Sequence, residues 1–313
     1  MEQALLFNPN DYPARLLHIP ETNSFKGLPY KGGKRLIADN LLQFILARNM
    51  SKSVFWDIFG GGGSMSARAT EYGYEVYYND YDKGISDLFQ YCCKNKAPQK
   101  WLNWVEPDEF FNHVGKHNIH SVAITLLWSF GNTRDSFLYA RQNCYIHKAF
   151  HKIIKNNDSK SRKVIKRLFP DLIITGKDVD TRRSEINKYL DILNRPSLTR
   201  TGEVFTRFNL MADLYGTNIN SFSSLSYEEV NINTPMEKTI VYCDPPYKNT
   251  EKYLNQNIDY DRFYQWFADL PCTAYMSEEN APFECVYKTE KMRTISVNNN
   301  GLIRTEKLFW NGK

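Results

Sequence analysis

Residues 241–247 read VYCDPPY, which places an aspartate, two prolines and a tyrosine directly after an apolar run. Proline lacks a backbone N–H and fixes φ, so a strand over the apolar run has to end at Asp244. Asp244 and Tyr247 then stand at the carboxyl end of that strand, where ligands of open α/β sheets bind. The stretch therefore predicts a site, and an ordinary turn is the alternative.

These residue types in this order could activate a weakly nucleophilic amine. The exocyclic amine of an adenine reacts poorly because its lone pair is delocalised into the ring. An ionised Asp244 and a backbone carbonyl that the two prolines hold in a fixed orientation could each accept a hydrogen bond from one amino N–H. The nitrogen would then become pyramidal and could attack an electrophilic methyl group, while Tyr247 offers a stacking face. A base inside a duplex would have to be flipped out to arrive there.

A glycine loop lies in the stretch FWDIFGGGGSMSARA (55–69), between a predicted strand and a predicted helix. Glycines let the backbone come close to a ligand, and the helix behind them offers free N–H groups. Asp80 lies 19 residues beyond Gly61, which is the spacing at which an acid reaches ribose hydroxyls. Together they favour a nucleoside-bearing cofactor, and a tight turn without a ligand is the alternative.

Two glycines flanked by lysines precede the first predicted helix in PYKGGK (29–34). The functional interpretation is a cap over the cofactor, in which Lys34 meets a carboxylate and Tyr30 stacks on a base. The alternative is a flexible loop that only leads into the helix.

The elements that position these stretches fall into three zones. Residues from about 25 to 85 show a β/α rhythm, which returns from about 238, while 86–215 is richer in aromatic and basic residues and has helix-like stretches only. We therefore expect one α/β sheet, formed by a catalytic domain of residues 1–85 and 216–313, with 86–215 inserted for substrate recognition. The predicted strands are SVFWDIF, YEVYYND, TIVYC, PCTAYMS, FECVYK and TEKLFW.

Composition is that of an ordinary soluble globular chain, with 42% hydrophobic and 24% charged residues. No apolar stretch reaches 18 residues, so we expect no transmembrane helix. The amino terminus lacks the basic region and apolar core of a secretory signal. The six cysteines form no C-x-x-C pair, which favours free thiols in a reducing compartment.

Basic residues concentrate in one part of the insertion. Eight of them and a single acid lie between Lys148 and Arg167. Such a run is either a solvated helix face or an electrostatic footprint for phosphates. On the second interpretation Lys163, Lys166 and Arg167 bind DNA.

In their order along the chain, these stretches resemble the Dam-type family of DNA adenine-N(6) methyltransferases. The matching elements are PYKGGK, DIFGGGGS (57–64), Asp80, an inserted region and DPPY (244–247). Three further stretches resemble the family's later motifs: LLWSFGNTRDSFLY (126–139), TAYMSEENAPF (273–283) and RTISVNNNGLIRTEKLFWN (293–311). The likeness covers most of 25–311 and is weakest at 145–210.

The resemblance implies a Rossmann-like α/β fold with a seven-stranded mixed sheet, the last strand antiparallel, and an inserted, mainly helical DNA-recognition region. It implies transfer of a methyl group from S-adenosylmethionine (SAM) to N(6) of an adenine flipped out of double-stranded DNA. No metal and no membrane are implied. The expected protein is a monomer or weak dimer in the cytoplasm of a bacterial cell, encoded by the bacterium or by a phage, with or without a partner restriction enzyme.

The resemblance also assigns roles to residues. Asp244 would serve both the SAM amino group and the target amine, Pro245 would contribute the carbonyl, Pro246 would help to hold it, and Tyr247 would stack on the base. Asp80 would bind the ribose hydroxyls. The remaining SAM contacts would come from Phe59, Gly61 and Gly63 of the glycine loop and from Tyr30 and Lys34, which would close over the two ends of the cofactor.

Target recognition is expected near SFGNTRDSF, which differs from the Asn-Arg-rich pattern of enzymes that read GATC, so that target sequence is not carried over. Asn132, Arg134 and Arg141 are candidates for contacts to base edges or phosphates. Four aromatic residues beside them could stack on bases or wedge between them: Trp128, Phe130, Phe137 and Tyr139.

Two other functions stay open from the residues. The same pocket could methylate another amine, such as cytosine N4, an RNA adenine or a protein glutamine. A DNA-binding relative without catalysis is the other alternative, and the intact DPPY and glycine-loop residues argue against it. His113, His117 and His120 have helical spacing, and we expect them on a half-exposed helix face rather than at a metal.

Overall fold

The computed structural model describes residues 26–195, 198, 200–247, 258–292 and 303–313. The chain divides into two compact units. Unit 1 comprises Met1–Gly27, Gly32–Lys94 and Gly216–Lys313, and unit 2 comprises Leu28–Lys31 and Asn95–Tyr215. Two sequence interpretations, the amino terminus without a secretory signal and the 293–302 part of the last motif, lie outside the described residues.

A seven-stranded sheet forms the centre of unit 1, with strand order β3-β2-β1-β4-β5-β7-β6. Strand β7 runs antiparallel to β5 and β6, and the other neighbours are parallel. This topology confirms the predicted Rossmann-like α/β fold, including the antiparallel last strand. The strands are β1 (Val54–Asp57), β2 (Glu75–Asn79), β3 (Ser221–Ser223), β4 (Thr239–Cys243), β5 (Thr273–Glu278), β6 (Glu284–Met292) and β7 (Ile303–Trp310).

Burial explains why most of these strands were readable in the sequence. Every residue of β1, β4 and β5 is buried, as expected for parallel strands that are covered on both faces and therefore form continuous apolar runs. Strand β3 was missed, because the three residues SFS are too few for an apolar run or an alternation to be recognised. It exists through its pairing with β2, in which Tyr77 lies opposite Ser221.

The α-helices of the described residues are numbered α1 to α10 along the chain. Those of unit 1 are α1 (Ala38–Arg48), α2 (Ser64–Glu71), α3 (Lys83–Lys94) and α10 (Tyr260–Asp269). The predicted domain boundary after residue 85 falls inside α3, and the structure divides the chain after Lys94 instead. A helix that packs as one element cannot be split between two units, so the boundary moves to its end.

Unit 2 is mainly helical, as predicted for the insertion. Its described residues hold one isolated β-bridge, between Ser129 and Phe137. The helices are α4 (Pro107–His113), α5 (Ile119–Trp128), α6 (Cys144–Asn156), α7 (Ser159–Leu168), α8 (Val179–Ile192) and α9 (Glu203–Ala212). No helix in the described part of the chain is long and apolar enough to cross a membrane.

Aromatic and histidine rings form the centre of unit 2. The expectation that Trp128 and Tyr139 stack on bases or wedge between them is wrong. Trp128 is fully buried and Tyr139 is 5% exposed, because Tyr139 stacks on His147 at 4.0 Å and Trp128 packs 5.1 Å from His151. These two rings belong to the core and cannot stack on bases. His151 Nε2 lies 2.8 Å from the carbonyl oxygen of Leu102, which satisfies a buried polar group.

The three predicted histidines do not share one helix. His113 ends α4, His117 lies in the connection, and His120 belongs to α5. His113 Nδ1 is 2.9 Å from the Ser121 hydroxyl, so the histidine joins two successive helices. Among the residues that the structure describes, no group of three or more His, Cys, Asp or Glu side chains could hold a metal ion.

Candidate active site

Three side chains of unit 1 surround the ammonium group of a fourth residue, Lys34. Lys34 Nζ lies 2.5 Å from Asp244 Oδ1, 3.0 Å from the Tyr247 hydroxyl and 3.1 Å from Glu306 Oε1. The Tyr247 hydroxyl in turn donates to Glu306 Oε1. We call these four residues the Lys34 cluster. Three of them were singled out in the sequence, and Glu306 was not.

Sheet topology brings these residues to one edge. Asp244 directly follows β4, at the carboxyl end of the parallel strands. Because β7 is antiparallel, its first half lies at the same edge: Lys307 pairs with Glu278, the last residue of β5, and Glu306 lies one residue further out. Lys34 precedes α1, and its carbonyl accepts the N–H of Ile37 at 2.8 Å.

The cluster keeps one full positive charge between its acids. Burial alone lowers the pKa of Lys34, but the electrostatic interactions with Asp244, Tyr247 and Glu306 outweigh it, and the pKa lies well above its ordinary value. Burial chiefly raises the pKa of Tyr247, so its phenol stays protonated. The site therefore holds an ammonium ion and a neutral phenol beside two carboxyl groups.

Asp80 and the glycine loop are in direct contact, while the predicted role of Asp80 toward ribose hydroxyls stays a prediction. The N–H of Gly61 donates to Asp80 Oδ2 at 2.8 Å, and the Tyr78 hydroxyl donates to the Gly61 carbonyl at 2.7 Å. Gly63 has a φ of +73°, and a Cβ there would lie 2.2 Å from the Phe89 ring. Only glycine fits this turn, so the loop is held close against β2 and α3.

A further acid, Asp57, lies beneath the loop. It ends β1, is 1% exposed and accepts a 2.6 Å hydrogen bond from the Ser66 hydroxyl. Burial, aided by the charges of Asp244 and Asp80, raises the pKa of Asp57 to about 7. Asp57 stood inside the quoted motif DIFGGGGS but was assigned no role. The feature that could have pointed to Asp57 is an acidic residue at the end of a predicted buried strand.

A cavity of about 260 Å³ opens at the carboxyl ends of β1 and β2. Asn79, the last residue of β2, borders the cavity. Its amide nitrogen donates to the carbonyl of Ile58, just after β1, at 2.9 Å and to the carbonyl of Leu225, after β3, at 3.0 Å. The residues that line the cavity are Ile58, Phe59, Asn79, Tyr81, Leu225, Ser226, Tyr227, Glu228, Ile258, Asp259 and Arg262.

Of the predicted cofactor residues, only Phe59 lines this cavity. Gly61 and Gly63 lie in the adjoining glycine loop, and Asp80 follows β2 and contacts that loop. Tyr30 belongs to unit 2, so its role stays a prediction. Two aromatic residues of the cavity wall, Tyr81 and Tyr227, were not among the predicted site residues. Tyr81 directly follows Asp80, which could have pointed to it, whereas nothing in the sequence around Tyr227 did.

A comparison with protein-family models matches residues 30–308 to the D12 class of N6 adenine-specific DNA methyltransferases. The chain belongs to this family. The match spans both units and confirms the resemblance drawn from the motifs, including the conclusion that the chain is an adenine-specific DNA methyltransferase. A search of curated proteins finds no match.

The predicted recognition stretch of this D12-class methyltransferase forms a closed loop between Ser129 and Phe137. The N–H of Phe130 donates to the Ser136 carbonyl at 2.7 Å. Asn132 and Arg134 both adopt positive φ, at 58° and 69°, which is uncommon for side chains other than glycine. This backbone turns tightly and leaves Phe130 41% exposed, with the Arg200 guanidinium 4.2 Å from its ring centre.

The predicted DNA-binding cations of the methyltransferase differ in exposure. Lys163, Lys166 and Arg167 are exposed on α7, and Arg141 is exposed with Asp108 3.9 Å away. Arg182, a basic residue that follows this run along the chain, is only 4% exposed and donates to the backbone carbonyls of Ile154 and Lys177. Arg182 is a structural residue and cannot contact phosphates, whereas phosphate binding by the exposed cations of α7 stays a prediction.

Proposed function

We propose that this chain transfers a methyl group from SAM to the N(6) amine of an adenine flipped out of double-stranded DNA. Membership in the D12 class supports adenine methylation. The observation that carries the proposal is the position of Asp244 at the carboxyl end of β4, beside Tyr247 and within 2.5 Å of the buried Lys34. Such a carboxylate is held in place before an amine arrives.

Two features of unit 1 support SAM as the cofactor. The cavity of about 260 Å³ has Phe59, Tyr81 and Tyr227 in its walls, and aromatic walls suit the adenine ring. Asp80, 8% exposed, adjoins it and would turn from the Gly61 N–H toward ribose hydroxyls. When bound, SAM supplies an electrophilic methyl group. We do not assign Lys34 to the carboxylate end of SAM, because its ammonium group already contacts Asp244, Tyr247 and Glu306.

The residues after β4 would prepare the target amine. Asp244 and the carbonyl of Pro245 each accept a hydrogen bond from one amino N–H, which favours a pyramidal nitrogen, and the buried Pro245 with Pro246 keeps that carbonyl in place. Tyr247 holds the base by stacking and stays neutral. No covalent step on the enzyme is needed. The adjacent Cys243 is fully buried, and burial raises the pKa of its thiol, which makes it a poor nucleophile.

We assign DNA recognition to unit 2. Lys163, Lys166 and Arg167 on α7 would neutralise phosphates, and Arg141 would add an exposed charge. Asn132 and Arg134, on the closed loop after Ser129, would reach base edges. A monomer or weak dimer that acts on DNA in the cytoplasm of a bacterial cell is the setting we propose.

One experiment tests activity, base and target together. Purified protein is incubated with DNA of random sequence and tritiated SAM, and the modified positions are mapped. We expect N(6)-methyladenine at one short recurring sequence, and calorimetry should show SAM binding. Label in cytosine, or SAM binding without any labelled DNA, would contradict the proposal.

A further inference from the structure

Glu306 is a buried acid on the closing strand of the sheet. It is 7% exposed, and in the alternation of β7 it shares its face with the fully buried Leu308. An apolar side chain would satisfy that position without cost, whereas a buried carboxylate is unfavourable unless it is paired. The presence of an acid at this position therefore calls for a specific partner.

Both partners of Glu306 belong to the Lys34 cluster. The ammonium of Lys34 lies 3.1 Å from Glu306 Oε1, and the Tyr247 hydroxyl donates to the same oxygen. The three contacts to Asp244, Tyr247 and Glu306 match the three protons of the ammonium group. Tyr247 accepts from Lys34 and donates to Glu306, which orders the four groups into one network.

The network contains a competition for Asp244. Its Oδ1 takes the shortest contact to Lys34, at 2.5 Å, yet in the proposed reaction Asp244 has to accept a hydrogen bond from the target amine. A lysine paired with Asp244 alone would lose its only charged partner when the amine arrives, and a buried unpaired ammonium is strongly unfavourable. A second carboxylate removes that penalty, because the ammonium keeps a charged partner throughout.

We propose that Glu306 is a positioning residue for methyl transfer. It retains the ammonium of Lys34 and the hydroxyl of Tyr247, so that Asp244 can turn to the target amine while the Tyr247 ring stays fixed for stacking. This inference rests on the proposed function. Glu306 touches none of the reacting atoms and acts through its two partners.

The test compares Glu306→Gln with the wild-type protein in single-turnover methylation at saturating SAM and DNA. Glutamine keeps the shape and an acceptor for Tyr247 but removes the charge that holds Lys34. We expect the rate per SAM-binding site, counted by calorimetry, to fall about 10- to 100-fold, since small misplacement of reacting groups has effects of this size. The apparent KM for SAM and DNA should change by less than about twofold, because an interaction needed only in the transition state is lost.

Two further variants separate this role from a structural one. Glu284→Gln, an exposed acid on β6 of the same hairpin, should methylate at the wild-type rate. Tyr247→Phe keeps the ring but deletes the hydroxyl that joins Lys34 to Glu306. Its effect should be smaller in the Glu306→Gln background than in the wild type, because both changes act on one network.

A wild-type rate for Glu306→Gln per SAM-binding site would overturn the inference, as would additive effects with Tyr247→Phe. If Glu306→Gln does not fold, Glu306→Asp takes its place. It keeps the charge but withdraws the carboxylate, so the rate should fall about tenfold, and an unchanged rate would again overturn the inference. Failure of the wild-type protein to bind SAM or to methylate DNA would refute the proposed function itself, which the same assay shows separately.

Discussion

Units 1 and 2 both bury cationic side chains, but they surround them with different partners. In unit 1, Lys34 contacts side chains, two of them carboxylates. In unit 2, Arg182 donates to the Ile154 carbonyl at 2.7 Å. Arg207 donates to three backbone carbonyls at the end of α5, those of Leu126, Leu127 and Ser129, and also to the Glu203 carboxylate.

The difference lies in what each partner can do when a ligand arrives. The last carbonyls of a helix have no partner within the helix, so a buried arginine that satisfies them cannot leave without uncapping the helix end. Carboxylates on side chains can exchange a partner without any change in the backbone. A buried cation among carboxylates therefore suits a reactive site, whereas one among carbonyls acts as a brace.

The largest effect on activity should follow removal of the Asp244 carboxylate, which exchanges Lys34 for the target amine in the proposed reaction. Asp244→Ala is expected to reduce methyl transfer about 1,000-fold or more, because a preorganised acceptor for the amine is lost, while DNA still binds. A tritiated-SAM assay and fluorescence anisotropy with DNA measure the two quantities. Asp269→Ala, an exposed acid on α10, serves as the control. Retained turnover in Asp244→Ala would rule out its assigned role.

Removal of Arg207, which binds the carbonyls at the end of α5, should instead lower the free energy of unfolding. Arg207→Met leaves the carbonyls of Leu126, Leu127 and Ser129 without this donor, and we expect the free energy of unfolding to fall by about 3 kcal/mol. Urea denaturation measures it. Arg167→Met, exposed on α7, should change stability by less than about 0.5 kcal/mol. Equal losses in both variants would mean that burial of the arginine does not distinguish them.

Substitution of exposed cations of unit 2 should change neither the fold nor the methyl transfer step, but it should lower the affinity for DNA. Changing Lys163, Lys166 and Arg167 together to Ala should weaken DNA binding about 10- to 100-fold at about 0.15 M salt and lower the slope of log K against log salt by up to about 2.7. An unchanged slope would place the phosphate contacts elsewhere. The matched control neutralises three exposed lysines of other segments, Lys83, Lys94 and Lys96.

The smallest effect concerns a histidine in the core of unit 2. Burial lowers the pKa of His151 to about 4, below its ordinary value of about 6.5. The unfolded chain then binds the proton more readily, so the stability contribution is complete above about pH 6.5 and is lost as the pH falls toward 4. Between pH 7 and pH 5 this amounts to about 2 kcal/mol.

Urea denaturation at the two pH values measures this loss. His151→Gln retains a donor for the Leu102 carbonyl but does not titrate, so this part of the pH dependence should disappear. An equal pH dependence in the variant would assign the loss to other groups.

Sequence reasoning was most successful where a residue's surroundings are local. The run TIVYC had to be a buried strand, and DPPY had to end it, because period and proline geometry act within a few residues. The structure accordingly brings Lys34, Asp244 and Tyr247 together, although their roles stay predictions. The same reasoning failed for Trp128 and Tyr139, since an aromatic residue in a polar stretch gives no sign of whether it faces a core or a ligand.

By itself, the sequence determined six of the seven strands, the family, and the residues that follow the strand ends. Only the tertiary structure decided which charges share a partner. Glu306 lies 59 residues after Tyr247, and it reaches Lys34 only because β7 inserts antiparallel between β5 and β6. The physical reason is that hydrophobic period is a local property, whereas the pairing of a buried acid depends on strands that meet only after folding.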